Sequence, residues 1–282
     1  MSLIEKLLQG SIDMHIHHGP DSKSERRVDA LQAALQAQEA GMRAIVLKSH
    51  DYPTTPLAYT VSQMVQGITI VGSVCLNFEV GGLNPHALEA SAKLGAKVVW
   101  MPTLSSANDV RKNGLTGEGI TIVDEEGKLL PVMNEILDII KSYEMVMATG
   151  HVSVSEAFTL VDEARRKGLP KIVVTHPLLE SVGAYLNLGE QRQMVEMGAF
   201  IEHTFYVTMP LSSSRNPMEL VEAIRAVGAE HCVLSTDFGQ AWNPAPAEGM
   251  RMMIATMLKC GLDEREMELL VKINPAKLLD LD

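Results

Sequence analysis

Short β-branched runs alternate with longer amphipathic stretches along the whole chain. I-D-M-H-I-H-H, A-I-V-L-K-S-H, T-I-V-G-S-V-C-L-N, K-V-V-W-M-P-T-L, M-V-M-A-T-G-H-V, K-I-V-V-T-H-P, A-F-I-E-H-T-F and C-V-L-S-T-D-F-G read as eight strands. Between them, stretches such as V-M-N-E-I-L-D-I-I-K-S-Y-E and P-M-E-L-V-E-A-I-R-A-V-G repeat apolar residues with the helical period. Gly41, Gly95, Gly168, Gly198 and Gly228 stand just before the next strand, where a left-handed cap ends a helix. Ser153 and Ser155 ahead of Glu156 mark a capped helix start. Strand–helix alternation predicts a parallel sheet, and eight such units predict an α/β fold, a (β/α)8 (TIM) barrel over residues 1–282 as a single domain. An open doubly wound sheet is the alternative, but no Gly-x-Gly-x-x-Gly turn follows any strand.

One interval is too long. Strand-end markers recur about every 25 to 34 residues, yet 49 separate Pro102 from His151. The excess, about residues 105–130, contains I-T-I-V-D-E-E-G-K-L-L, which reads as a small β-hairpin turning at Glu126-Gly127 after strand four. Such an insertion rises from the face where catalytic loops sit and reads as a partial lid, with a rigid decoration as the alternative.

Histidines gather at the strand ends. His15 and His17 close strand one, His50 strand two, His151 strand five, His176 strand six and His203 strand seven, and Asp237 closes strand eight. Alternation along a strand turns His15 and His17 to one side, and puts Val46, Lys48 and His50 on one face of strand two. Imidazole and carboxylate are ligands for zinc, manganese or iron, so this convergence predicts one or two divalent ions, zinc first, at the barrel mouth. His18, His86 and His231 lie off this pattern and read as surface or capping residues. No other cofactor motif is present.

Composition narrows the partners. Hydrophobic residues make up 46% of the 282 positions, and Lys plus Arg number 24 against 35 acidic residues, for a net charge of −11. That balance argues against nucleic acid or an anionic membrane surface as the main partner. No apolar run approaches the roughly 18 residues of a membrane span. The three cysteines are scattered; Cys75 and Cys232 read as core thiols, and the number suits a reducing, cytoplasmic setting. The Met-rich stretch G-M-R-M-M-I-A-T-M would pack on the barrel core or against a second subunit of a homo-oligomer. Serine-hydrolase chemistry has no Gly-x-Ser-x-Gly elbow to support it.

The set D13-M-H15-I-H17, A-T-G-H151, V-V-T-H176-P and L-S-T-D237-F-G-Q resembles the amidohydrolase superfamily of metal-dependent barrel hydrolases. The resemblance runs strand by strand through the whole chain. It implies His15, His17 and Asp237 on a first metal and His151 and His176 on a second, with Asp237 as general base for the cleavage of an amide, lactone or ester. The pattern departs from the best-known binuclear members at strand four, where W100-M-P-T-L offers no bridging Lys or Glu. Glu79, just beyond strand three, is the substitute bridge that the dipeptidase-like branch suggests. Lys48 would serve as a charged substrate contact, and His203 would bind substrate or orient a ligand. L-K48-S-H50-D51 is also similar to the second motif of the polymerase-and-histidinol-phosphatase barrels, whose histidine there binds metal; their later Asp-x-His is absent. A phosphoesterase of that type, and a mononuclear metal-dependent decarboxylase, are the alternative functions. Arg26, Arg27 and Arg215 in the loops suit a substrate carboxylate or phosphate, which makes a small polar or anionic substrate the expectation.

Overall fold

A computed structural model describes residues 1–281. In chain order the elements are α1 (Leu3–Leu8), β1 (Ile12–His17), α2 (Ala30–Glu39), β2 (Ala44–Lys48), α3 (Thr55–Met64), β3 (Thr69–Val71) and β4 (Ser73–Cys75). There follow α4 (Pro85–Lys93), β5 (Val98–Trp100), α5 (Ala107–Lys112), α6 (Pro131–Ser142), β6 (Val146–Ala148), α7 (Val154–Arg166) and β7 (Ile172–Val174). The chain ends with α8 (Leu188–Glu196), β8 (Phe200–Thr204), α9 (Pro217–Val227), β9 (Cys232–Ser235), α10 (Pro246–Lys259), α11 (Glu264–Glu268) and α12 (Asn274–Leu279). All eight expected strands are present; the third is divided at Gly72 into β3 and β4. Among the described residues no helix is long and apolar enough to cross a membrane.

The chain divides into two compact units. The first comprises Met1–Ser49, Thr54–Gly72 and the chain from His203 onward. In it β1, β2 and β3 pair in parallel. The segment after β9 runs beside β1, with the Asp237 amide donating to the His15 carbonyl (2.9 Å) and the His17 amide to the Phe238 carbonyl (2.7 Å). One extra residue bulges β1 between Asp13 and Ile16, a local device that re-aims side chains beside a site. Ile12, Ile16, Ile45 and Leu47 are buried on the strands, and Met250, Met253, Ile254 and Met257 fill the inner face of α10. The Met-rich helix is therefore core packing against α1, α2 and α9.

The second unit comprises His50–Pro53 and Ser73–Glu202. Strands β4, β5, β6, β7 and the start of β8 pair in parallel in sequence order. α6 buries Met133, Ile136, Leu137 and Ile140, the i, i+3, i+4, i+7 spacing of a helix laid on a sheet. α7 begins with a capping box in which Ser153 and Glu156 satisfy each other's backbone amides. The five glycines expected to end helices all take positive φ.

The strand-four insertion differs from its expected form. The hairpin is reduced to a single antiparallel bridge, Val123–Leu129, around a turn at Asp124–Gly127, and α5 precedes it. It is also pinned. The Glu156 carboxylate accepts from Thr121 Oγ1 (2.7 Å) and the Ile122 amide (3.0 Å) with one oxygen, and from the Ser153 amide (2.8 Å) and hydroxyl (2.6 Å) with the other. Ile122 is fully buried.

Burial works to raise the Glu156 pKa, but these four donors outweigh it and hold the carboxyl below its ordinary 4.5. Its stabilisation is therefore complete above that pH and is lost as pH falls through the lower folded-state value. Glu156→Gln should cost about 2 kcal/mol, the scale of bonds to a charged acceptor, and speed amide exchange at Ile120–Val123. Unchanged melting and exchange would show that the latch carries no stability.

Candidate metal centre

In the first unit the end of β1 and the turn after β9 bring three predicted ligands together. His15 Nε2 lies 3.2 Å and His17 Nε2 3.1 Å from the same oxygen, Oδ1 of Asp237, and all three side chains are buried. Their donor atoms fall within 4.8 Å of one another. A tetrahedral zinc with ligands 2.0–2.1 Å away sets its donors about 3.3 Å apart, so two of these separations already match a coordination polyhedron. The donor set fits a divalent cation on chemistry as well as distance.

The backbone around the group is shaped for it. Asp237 takes φ 56°, a left-handed conformation that costs a non-glycine residue energy and clusters at functional sites. Gly239 follows, and a Cβ there would sit 2.1 Å from the His17 carbonyl oxygen, so only glycine lets this turn close on β1. Asp13, fully buried, accepts from the His15 amide (3.2 Å), the Thr236 amide (3.0 Å) and Thr236 Oγ1 (2.6 Å). It ties the two ligand-bearing segments together. No role was expected for Asp13, although its parity with His15 and His17 was visible.

Lys48, 1% exposed, points its Nζ at His15 Nε2, 2.9 Å away. His203 is buried on β8 and contributes no atom to the three-ligand group. Tyr206 is half-buried; burial and then the negative charge of Asp237 push its phenol up, so it stays protonated. Arg26, expected to face an anion, is instead tied to Asp21, with Nε at 2.9 Å and Nη2 at 2.6 Å from Oδ2. Arg215 similarly pairs with Glu219 at 2.6 Å. His18 is 1% exposed, not at the surface, with Nδ1 3.0 Å from the Gly19 carbonyl, and burial lowers its pKa.

The second unit holds a separate group. His151 Nε2 and His176 Nε2 lie 3.1 Å apart, again the spacing of two ligands on one ion. His176 has φ 28°, and Gly150 before His151 closes on the Met101 carbonyl where a Cβ would come within 2.3 Å. His50, beyond the end of β2, directs Nδ1 to Thr103 Oγ1 (2.8 Å) and sits with its ring centroid 6.3 Å from that of His151. Asn77 braces this side by donating to the His50 carbonyl (3.1 Å) and to Thr103 Oγ1 (2.8 Å). The bridging role expected of Glu79 finds no support: the residue is exposed on a single 3-10 turn (Phe78–Val80), 3.5 Å from Ser105 Oγ. A bridging ligand needs a buried carboxylate held in place. His86 and His231 are exposed, as expected, and Cys75 and Cys232 are buried, with burial raising the Cys232 thiol pKa.

Single alanine substitutions at His15, His17 or Asp237 should each weaken Zn2+ binding at least about tenfold, since even an outlying partner of a ligand contributes that much. Equilibrium dialysis of the metal-free protein measures it. Unaltered affinity in all three would remove this group as the binding site.

No curated protein matches the sequence. Among solved structures the chain is similar to the probable dipeptidase PvdM from Pseudomonas aeruginosa (TM-score 0.68, 12% identity, 98% of this chain and 96% of that one). It is also similar to an amidohydrolase from Pseudomonas aeruginosa (0.63, 15%, 99% and 98%). A third is 2,6-dihydroxybenzoate decarboxylase from Rhizobium (0.62, 13%, 97% and 99%). At such identities the likeness shows the fold alone, parallel strands alternating with helices. One sequence-family model matches residues 10–202, which span β1 to the middle of β8. The chain accordingly belongs to DUF6282, described as a family of unknown function.

Proposed function

We propose that this protein is a metal-dependent hydrolase of the amidohydrolase type, cleaving an amide, lactone or ester bond in a small polar or anionic substrate. The observation that carries the reading is the meeting of two buried imidazoles on one carboxylate oxygen, His15 and His17 on Asp237. A divalent cation held there, zinc or else manganese or iron, would supply a Lewis acid and lower the pKa of a water to about 7.

The chain's own groups have distinct parts. His15 and His17 would hold the cation, their rings fixed by the rigid end of β1. Asp237 takes a proton from the attacking water at its carboxylate and returns it to the leaving nitrogen or oxygen. Lys48 places a positive charge beside His15, where it stabilises the oxyanion that develops on the scissile carbonyl. Arg26 and Arg215 are already paired within the protein, so Lys48 and the exposed Arg27 are the groups that would meet an anionic substituent. Tyr206, protonated near Asp237, can donate to substrate.

Metal-dependent decarboxylation is the second reading. It is favoured by the likeness to 2,6-dihydroxybenzoate decarboxylase and by the gathering of three ligands around a single point. In that case a substrate carboxylate replaces the scissile bond.

Zinc-loaded protein should turn over members of an amide, lactone and ester panel and leave phosphomonoesters untouched. Asp237→Asn should lower kcat by about 10³-fold, within the range of a general base, and Lys48→Met by about 10²-fold, with melting temperatures near that of the parent. Carbon dioxide release from aryl carboxylates, without hydrolysis, would transfer the assignment to decarboxylation. Phosphomonoester turnover, or full activity in Asp237→Asn, would end it.

A further inference from the structure

The strand-four insertion carries a residue for which the hydrolase reading has no part. Asp109, on α5, is 1% exposed. Its Oδ2 lies 2.5 Å from His151 Nδ1, and its Oδ1 accepts the Gly183 amide at 2.9 Å. The carboxylate is thus clamped at both oxygens, one on the imidazole after β6 and one on the loop that follows His176. The residue before it completes the clasp. Asn108 Nδ2 donates to the carbonyls of His151 (3.1 Å) and Gly183 (2.9 Å). One turn further on, Lys112 Nζ donates to the carbonyls of Gly183 (2.7 Å) and Glu180 (3.0 Å). Gly183 in turn packs on the His176 ring, since a Cβ there would stand 3.3 Å from Cε1.

We infer that Asp109 is a positioning residue that holds His151 as its Nδ1–H tautomer and aims the Nε2 lone pair at the space shared with His176. The inference rests on the reading of His151 and His176 as cation ligands. A carboxylate oxygen accepts hydrogen bonds, so the nitrogen facing it must carry the hydrogen, and the opposite nitrogen is then bare. Only a bare nitrogen can ligate a metal, and a carboxylate behind a ligating imidazole fixes both its tautomer and its ring plane. The insertion thus supplies, one step removed, a carboxylate to a site whose fourth strand offers no ionisable ligand of its own.

The test uses Asp109→Asn, which has the same shape. The Gly183 amide would keep the side-chain oxygen on its own side and turn the NH2 group towards His151 Nδ1, forcing the hydrogen to Nε2; a carboxylate-to-amide change behind a histidine is known to impose the wrong tautomer in this way. The readout is the 15N–1H two-bond correlation spectrum of the metal-free, 15N-histidine-labelled protein, with His151 assigned by its loss in His151→Gln. The expected result is Nδ1–H in the parent and Nε2–H in Asp109→Asn. Asn108→Ala, which removes part of the clasp without touching the ring, should lower the melting temperature and leave the tautomer unchanged. Zn2+ affinity, measured by chelator competition in a His15→Ala/His17→Ala background, should fall 10–100-fold on adding Asp109→Asn. An Nε2–H ring in the parent, or an unchanged tautomer in Asp109→Asn, would overturn the inference. A changed tautomer with unchanged zinc affinity would overturn its bearing on ligation. If His151→Gln also left zinc affinity unchanged in that background, the ligand reading would fail while the tautomer result still stood.

Discussion

A buried polar group must find a partner, and a buried imidazole has two nitrogens to provide for. At three of the candidate ligand histidines the chain holds one ring nitrogen or the adjoining backbone amide. Asp13 holds the amide of His15, Asp109 the Nδ1 of His151, and Thr103 the Nδ1 of His50. Leaving such groups unsatisfied in a low-dielectric interior costs on the order of 1–3 kcal/mol each. The ring orientations are therefore part of the folding energetics and not a late adjustment to a ligand.

Backbone geometry delivers these side chains. The strands are short, three to six residues, and each ligand-bearing chain turns sharply just past its strand. Asp237 and His176 sit in the left-handed region that other residues avoid, and Gly239 and Gly150 admit contacts that any side chain would block. Strain of this kind persists only where surrounding bonds over-determine the conformation. Here the bonds are visible: Asp13 to Thr236 beside Asp237 in one unit, and Asp109, Asn108 and Lys112 to the Gly183 loop after His176 in the other.

Charge is arranged in the same economical way. Arg26 and Arg215 are neutralised by Asp21 and Glu219, while Lys48 is kept inside next to His15. Burying a lysine is costly unless its charge is used, and its position beside a prospective ligand gives it a use. The insertion after the fourth strand belongs to this economy too. It is fastened through Glu156 at one end and through α5 at the other.

Much of this was legible in the linear chain, because burial periodicity and helix caps are local properties. The eight strands, the helices between them, the Ser153 cap and the placing of histidines at strand ends follow from spacing alone. That His15, His17 and Asp237 would share one site was what the resemblance implied, and the three do meet in the folded chain. What tertiary structure alone decided lies in the loops, where no period exists to constrain a side chain. The exposure of Glu79, the pairing of Arg26 with Asp21, the burial of His18 and the grip of Asp109 on His151 all depend on how irregular segments fold back on distant strands. A residue at position 109 meets one at 151 only when α5 folds back on the turn after β6, and nothing in its immediate neighbours announces the meeting.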